Sequence, residues 1–524
     1  MKKKNILILV YESEIFNSIE AARILQNKYN ITFFCCDWFT SLSETNKKII
    51  QHSDINYDYI FDIKKEILEL NNLKENANIK INYDYISNIE NSLLNEKVCG
   101  IGLKDYALNN IDSPRLHYYH PTNKNIINKY FEIILRKFKT VVNFKNYQLI
   151  YSAGTANFVR NIFLSYCRKN KISFFVPRQR FELTYLADCS MNSNNLPYLI
   201  KNKSVISKKN NFIYNKSNSI LNHFEPFNLL VLLDFLLNSF NKFLGLIRDD
   251  FKKRVKFSRP NYFQEKNRLF IILHIIKDSF NKFLIQRYIQ KNLKNKIRII
   301  KNKKFIYFPL HIIPEGGVFD QNDYVDEFFF IYELSKLIPA NYKILVKPHP
   351  DLFKCSESIY PLSWYKRINK LSNVEILPQY INNDFLLKHC ITTVSIAGTP
   401  SIECAVFYNK ISFVIGDVEL NGLKNLFKYN KLLFKRFIDG LFFFSSRSLR
   451  KNYEYNIKIL NSLKLNSINC ENNSYHFYSK KTKYKNIHNE AIDTYVNFVF
   501  PDKAYSQTDD YKKKMKKFLN RILQ

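Results

Sequence analysis

Eight residues between 311 and 403 have types and spacing suited to handling an anionic leaving group. His311-Ile-Ile-Pro-Glu315 offers an imidazole and a carboxylate, the pairing that general acid–base chemistry uses. Lys347-Pro-His349-Pro350 sets a second imidazole between two prolines, which stiffen the backbone on both sides and fix the ring's direction. Such a ring can donate to a monophosphate or diphosphate, with the Lys347 charge beside it; a structural histidine in a tight turn reads the same way. In Ala397-Gly398-Thr399-Pro400-Ser401-Ile-Glu403, the glycine lets backbone approach a ligand. Thr399 suits the N-cap and Pro400 the first helical position. A helix starting there aims N–H groups and the positive end of its dipole at a phosphate. Glu403, one turn in, can accept from ribose hydroxyls. An ordinary capped helix behind a strand fits the same residues.

The elements that must position these groups follow from apolar patterning. Strand-like runs at 304–310, at the head of 342–350, at 373–377, 390–396 and 410–415 alternate with helical stretches, the signature of βαβ units on a parallel sheet. Ligands bind outside the carboxyl ends of such strands. Each candidate residue follows a strand-like run, so all converge on one sheet edge. Earlier in the chain, strands are expected at 6–10, 31–35, 148–152 and 171–176, with helices at 16–28 and 124–144 and another ending near 169. Gly154-Thr155 repeats the strand–Gly-Thr–helix pattern, and Arg178 and Arg180 are expected just past a strand end, facing an anionic substrate or solvent. Beyond Asp417, helices are expected at 423–437, 449–463, 487–498 and 511–523. The expected class is α/β: two Rossmann-like domains, 1–200 and 304–524, with a basic helical insertion or connector at 201–303.

Charge narrows the partners. The 524 residues carry 80 Lys+Arg against 46 Asp+Glu, a net +34, which favours polyanions: nucleic acid, anionic lipid, or acidic sugars and nucleotides. No nucleic-acid-binding module is recognisable. Residues 201–304 alone hold 24 Lys and Arg and 6 Asp and Glu. Apolar residues at helical spacing over 229–247 and 268–289 make basic amphipathic helices, suited to an anionic membrane surface or to a solvated connector. No run approaches the ~20 apolar residues of a membrane span. The apolar run at 6–10 is too short for a signal peptide. Nine cysteines without a CxxC pair or zinc spacing fit a reducing cytoplasm. No Asp-x-Asp stands at a plausible strand end, so no obligatory divalent cation is expected.

Three elements then stand in a telling order: Tyr307-Phe-Pro-Leu-His311 with Pro314-Glu315, Val346-Lys-Pro-His-Pro350, and Ser395-Ile-Ala-Gly-Thr399 with Glu403-Cys-Ala405. Together they resemble the bacterial capsular polysaccharide biosynthesis family, two-domain transferases of the GT-B type related to the Kdo-transferring capsule enzymes. The His-Pro element and the Ser/Thr-rich turn also resemble the two nucleotide-contacting motifs of bacterial sialyltransferases. Ile312-Ile313 departs from the family, which usually has a polar residue there. The resemblance implies a glycosyltransferase with a CMP- or UDP-linked sugar held by the C-terminal domain as co-substrate, and no further cofactor. It implies a polysaccharide or glycolipid acceptor, in a cytoplasmic protein with a peripheral seat on the inner membrane as the further reading. Lys347, His349, Gly398, Thr399, Ser401 and Glu403 are the expected nucleotide contacts. His349 also neutralises the leaving phosphate, Glu315 is the nominated base, and His311 is its partner or a second phosphate contact. Glu12, Glu14 and Asp37 are rival bases from the first domain. Two other functions fit the same residues: transfer of a glycerol- or ribitol-phosphate group, and non-catalytic binding of carbohydrate or nucleotide in an assembly.

Overall fold

Ile6-Leu-Ile-Leu-Val10 has no polar side chain, so it can be covered on both faces as parallel strands are. It forms the centre of the first sheet. The computed structural model describes residues 3–10, 15–36, 40–63, 65–66, 79–93, 124–152, 158–180, 183–190, 268–291, 293–311, 327–349, 360–396, 398–416, 422–466, 468–469, 516 and 519. In chain order the first domain contains β1 (Lys4–Val10), α1 (Ile15–Leu25), β2 (Tyr29–Cys35), α2 (Thr40–Gln51), β3 (Tyr59–Asp62), α3 (Tyr83–Leu93) and α4 (Lys124–Phe144). Then come β4 (Leu149–Ser152), α5 (Phe158–Asn170), β5 (Ser173–Arg180) and β6 (Leu183–Asp188). The strands order as β6-β5-β4-β1-β2-β3, parallel except for β6. Side chains alternate across β1: Leu7 and Leu9 join one core, and Ile6, Ile8 and Val10 the other.

Strand β5 corrects one expectation. It runs through Pro177 to Arg180, paired antiparallel with β6 from Phe175↔Asp188 to Arg180↔Leu183. Arg178 and Arg180 therefore lie within a ladder rather than past a strand end. Strand β4 pairs with β5 only as far as Phe175, so Pro177 falls where a single neighbour remains, a place proline tolerates.

Two helices of the basic connector are described, α6 (Arg268–Gln290) and α7 (Leu293–Asn302). Ile285 and Ile289 of α6 are spent on the second domain's core. Lys296 of α7 is buried, and its ammonium donates to the carbonyls of Ile289 and Ile376 at 2.6 Å each. The rest of the connector, 201–267, lies outside the described residues.

The second domain contains β7 (Lys304–Pro309), α8 (Glu327–Leu337), β8 (Tyr342–Lys347), α9 (Leu362–Ile368), β9 (Val374–Ile376), α10 (Asn383–His389) and β10 (Thr392–Ser395). It continues with α11 (Thr399–Phe407), β11 (Ser412–Val414), β12 (Leu426–Lys428) and α12 (Lys431–Ile438). All six strands are parallel, in the order β12-β11-β10-β7-β8-β9. The molecule is thus α/β, with two Rossmann-like parallel-sheet domains. The expected helix at 423–437 is instead the edge strand β12 followed by α12. Asn425 adopts φ +68°, a left-handed conformation that asparagine tolerates and a helix does not, and Asn430 caps α12 by accepting from the Leu433 N–H.

The chain then returns. After α13 (Ser446–Asn466), β13 (Ile468–Asn469) pairs antiparallel with β6 and adds a seventh strand to the first sheet. Leu519 is buried in the first domain's core beside Ile6 and Ile8. Among the described residues no helix is long and apolar enough to cross a membrane.

Candidate functional site

Strand β7 lies between β10 and β8, and this order decides which groups meet. Pro309 pairs with Lys347, and the Leu310 N–H donates to the Lys347 carbonyl at 2.8 Å. His311 and His349 therefore lie equally far past the paired level on adjacent strand ends, and His311 is the one beside β10. Both the backbone N–H of His311 and its ring Nδ1 meet one oxygen, Oε1 of Glu327, at 3.2 Å. Glu327 opens α8 and is wholly buried. Its own N–H donates to the Tyr360 hydroxyl at 3.3 Å, and Tyr360 stacks on Trp364 at 3.8 Å. A carboxylate only accepts, so Nδ1 carries the proton and Nε2 is the acceptor nitrogen.

Nε2 points at the turn after β10. A Cβ built on Gly398 would lie 3.3 Å from it, 3.2 Å from Ser395 Cβ and 3.3 Å from Pro400 Cδ. The Gly398 backbone, at φ −75° and ψ 139°, suits any residue. Space rather than backbone conformation favours the glycine, because a side chain there would press on the imidazole.

The turn itself departs from expectation. Gly398 occupies the cap position, and Thr399 and Pro400 are the first two helical residues. Gly398 gives this helix no side-chain cap; Ser395 braces the turn before it, its hydroxyl accepting from the Gly398 N–H at 3.2 Å and donating to Ser401 Oγ at 2.7 Å. Ser401 is wholly buried; its hydroxyl donates to the Phe413 carbonyl at 3.1 Å and its N–H to the Gly398 carbonyl at 3.2 Å. The Ser401 side chain thus pins α11 to β10 and β11 and is spent inside the fold rather than offered to a ligand. The amides of Gly398 and Ser401 are used within the turn, and Pro400 has none.

A second polar group forms on the other side of β7. Lys347 is 2 % exposed, and its ammonium donates to Asn383 Oδ1. The Tyr307 hydroxyl donates to the same oxygen at 2.9 Å. Burial lowers the Lys347 pKa to about 7, although the nearby Glu403 carboxylate pulls it upward. Burial and the Glu403 charge push the Tyr307 phenol well up. The Tyr408 hydroxyl donates to Asp384 at 3.1 Å, and Asn382 caps α10 on the Asp384 N–H. Lys347 and Asn383 are thus hydrogen-bonded within range of the Glu403 charge, with Lys347 divided between its charged and neutral forms near neutral pH.

The expected site residues fall into groups. His311 meets Gly398, Lys347 feels the Glu403 charge, and Thr399 and Glu403 stand partly exposed on α11. His349 is half-buried at the end of β8, separated from β10 by the whole of β7. Glu315 lies outside the described residues, as do Glu12, Glu14 and Asp37. Glu327, Tyr307 and Asn383 were not foreseen. Tyr307 hides in an apolar run and Glu327 reads as an ordinary acidic start to a helix; only Asn382-Asn383-Asp384 carries a signal, that of a cap. Among the described residues no three His, Cys, Asp or Glu gather as they would around a metal ion.

The chain matches no family profile and no curated protein. Among solved structures it is similar to the β-Kdo 2,4 transferase KpsC of Thermosulfurimonas dismutans, at 11 % identity over 60 % of this chain and 79 % of that one, with a TM-score of 0.27. It is also similar to the glycosyltransferase SnogD of Streptomyces nogalater (8 % identity, 88 % and 99 % covered, TM-score 0.22). A third is UDP-N-acetylglucosamine 2-epimerase of Rickettsia bellii (10 % identity, 89 % and 96 % covered, TM-score 0.23). At such identities and TM-scores the likeness says nothing of activity, which has to be argued from the residues.

Proposed function

We propose that this chain is a metal-independent glycosyltransferase of the GT-B type. It uses a CMP- or UDP-linked sugar to build a capsule or related surface polysaccharide, at the cytoplasmic face of an anionic membrane. The observation that carries this reading is His311, held by the buried Glu327 with Nε2 against Gly398, at the sheet edge where β8 also ends with Lys347. That edge is where a parallel sheet receives its ligand.

In this reading an acceptor hydroxyl, on polysaccharide or glycolipid, gives its proton to His311 Nε2 and attacks the anomeric carbon. The bond from that carbon to the donor phosphate oxygen breaks, and its electron pair leaves with the nucleotide. Glu327 stabilises the imidazolium that forms, as a buried carboxylate behind a catalytic histidine does. Lys347, His349 and the Thr399 end of α11 offset the growing phosphate charge. Glu403 reaches the ribose, and Glu315, four residues past His311, is the rival base.

The test is donor turnover across CMP-, UDP- and CDP-linked compounds. Turnover of a CMP- or UDP-sugar is expected, unchanged by EDTA. It should fall about 10²- to 10⁴-fold in His311→Asn, the usual worth of a general base. Nucleotide binding without turnover of any donor would leave only a binding protein, and turnover confined to CDP-linked glycerol or ribitol would replace sugar transfer with polyol-phosphate transfer.

A further inference from the structure

The outer edge of the second domain bears the most exposed large apolar side chains among the described residues: Leu432 at 70 %, Leu441 at 67 % and Phe443 at 77 %. Their exposure is built into the local packing. From Leu441 to Ser445 the chain alternates, with Leu441, Phe443 and Ser445 outward and Phe442 and Phe444 inward. The two inward rings pack on Phe427 of the edge strand β12, at 5.4 and 6.1 Å between centroids. The Leu441 N–H donates to the Arg436 carbonyl at 2.8 Å, which ties this segment to α12 one turn after Leu432. Tyr453 and Tyr455 stand exposed on the neighbouring α13.

The stretch that bears these tips is rich in cations. Residues 422–461 hold nine Lys and Arg against two Asp and Glu. Both acids are already paired, Asp439 with Lys435 and Glu454 with Arg450. Arg436, Arg447 and Lys451 are exposed and lie within about eight residues of the apolar tips along the chain. Exposed apolar tips on a stretch rich in cations match an anionic bilayer: the tips enter the acyl boundary and the cations meet headgroup phosphates. A second copy of this chain would bring the same excess of positive charge against itself, a repulsion that an anionic bilayer replaces with attraction. Strand β12 runs parallel to β10, β7 and β8, so α12 sets out from the same sheet edge that bears His311.

We propose that residues 428–451 form a seat on an anionic bilayer, with Leu432, Leu441 and Phe443 entering the lipid. This deepens the membrane partner of the proposed function by naming the surface, and it does not depend on the donor chemistry. The experiment is co-sedimentation of the full chain with vesicles of phosphatidylcholine, alone or mixed with phosphatidylglycerol. The double variant Leu441→Ser/Phe443→Ser alters only outward side chains and leaves every charge in place. It should bind the mixed vesicles at least about tenfold more weakly than wild type, with an unchanged melting temperature. Wild type should bind phosphatidylcholine alone far less. Wild-type binding by the double variant would overturn the proposal and leave the connector at 201–303 as the seat. Equal binding of wild type to both vesicles would remove the role of the cations. A dimer in sedimentation velocity that the double variant abolishes, with no vesicle binding by wild type, would assign the surface to a second copy of the chain. Donor turnover plays no part in these readouts, so a failure of the enzymatic reading leaves them standing.

Discussion

Lys347 lies almost wholly buried at the end of β8, and desolvation brings its pKa from 10.5 to about 7. The unfolded chain therefore holds a proton that the folded chain releases between about pH 7 and 10.5. Below pH 7 the cost of burying the charge is fully present; as pH rises through this window it is relieved, so stability rises with pH. The slope from this one group approaches about 1.4 kcal/mol per pH unit. Denaturant melts from pH 7 to 9 should show wild type gaining stability more steeply than Lys347→Met, and parallel curves would deny the group this role. A nucleotide phosphate arriving nearby favours the ammonium, so CMP or UDP binding at pH 7.5 should take up protons. Calorimetry in buffers of different ionisation enthalpy reads this directly, and the uptake should vanish in Lys347→Met. Glu327 acts through His311, so its test must see the ring. In Glu327→Gln the side-chain amide can donate to Nδ1 and move the ring proton to Nε2. Nitrogen-15 spectra of labelled histidine, with His311→Asn to assign the signal, should show that tautomer change. The turnover number should fall while the Michaelis constant for donor stays near wild type. An unmoved tautomer would make Glu327 a purely structural residue.

At the scale of elements, Gly398 is the joint between β10 and α11, and its lack of a side chain gives the His311 ring room. An added methyl at 3.2–3.3 Å from Ser395 Cβ, His311 Nε2 and Pro400 Cδ presses on one mobile neighbour, the imidazole. The backbone there has ordinary angles, so Gly398→Ala should change stability by no more than about 1 kcal/mol while displacing the ring and lowering turnover. Unimpaired turnover would mean that the ring's position against the turn is immaterial. The strands that carry this joint were legible in the sequence: Phe305–Leu310 and Ile344–Val346 are apolar on both faces because both faces are covered. The helix at 124–144 was legible to the residue from its periodicity. What escaped was set by partners distant in sequence. Leu426-Phe427-Lys428 becomes a strand because β11 lies beside it, and Arg178 enters a ladder because β6 folds back. Ser401 reads as a helix-start donor until Ser395 and Phe413 claim its hydroxyl. The apolar spacing of 268–289 suited a membrane-surface helix and a connector alike, and only packing shows that Ile285 and Ile289 belong to the second domain's core.

At the scale of the whole molecule, two described pieces of chain beyond the second domain's sheet belong to the first domain. Strand β13 extends the first sheet through Ile468↔Thr184, and Leu519 is wholly buried in the core that also contains Ile6, Ile8, Ile31 and Leu149. A side chain near the end of the chain thus supports the opening strand, while the second domain's sheet is built entirely from residues 304–428. Truncating a buried leucine loses its transfer energy and leaves a cavity, about 2–5 kcal/mol in all. In Leu519→Ala that loss should fall on the first domain although the mutation lies beyond the second. Hydrogen exchange should quicken in β1, β2 and β4, whose amides open with their own cooperative unit, and stay unchanged in β7, β8 and β10. Leu519→Met keeps most of the volume and should restore most of the protection. Faster exchange confined to the second sheet, or none anywhere, would show that the C-terminal segment does not hold the first domain.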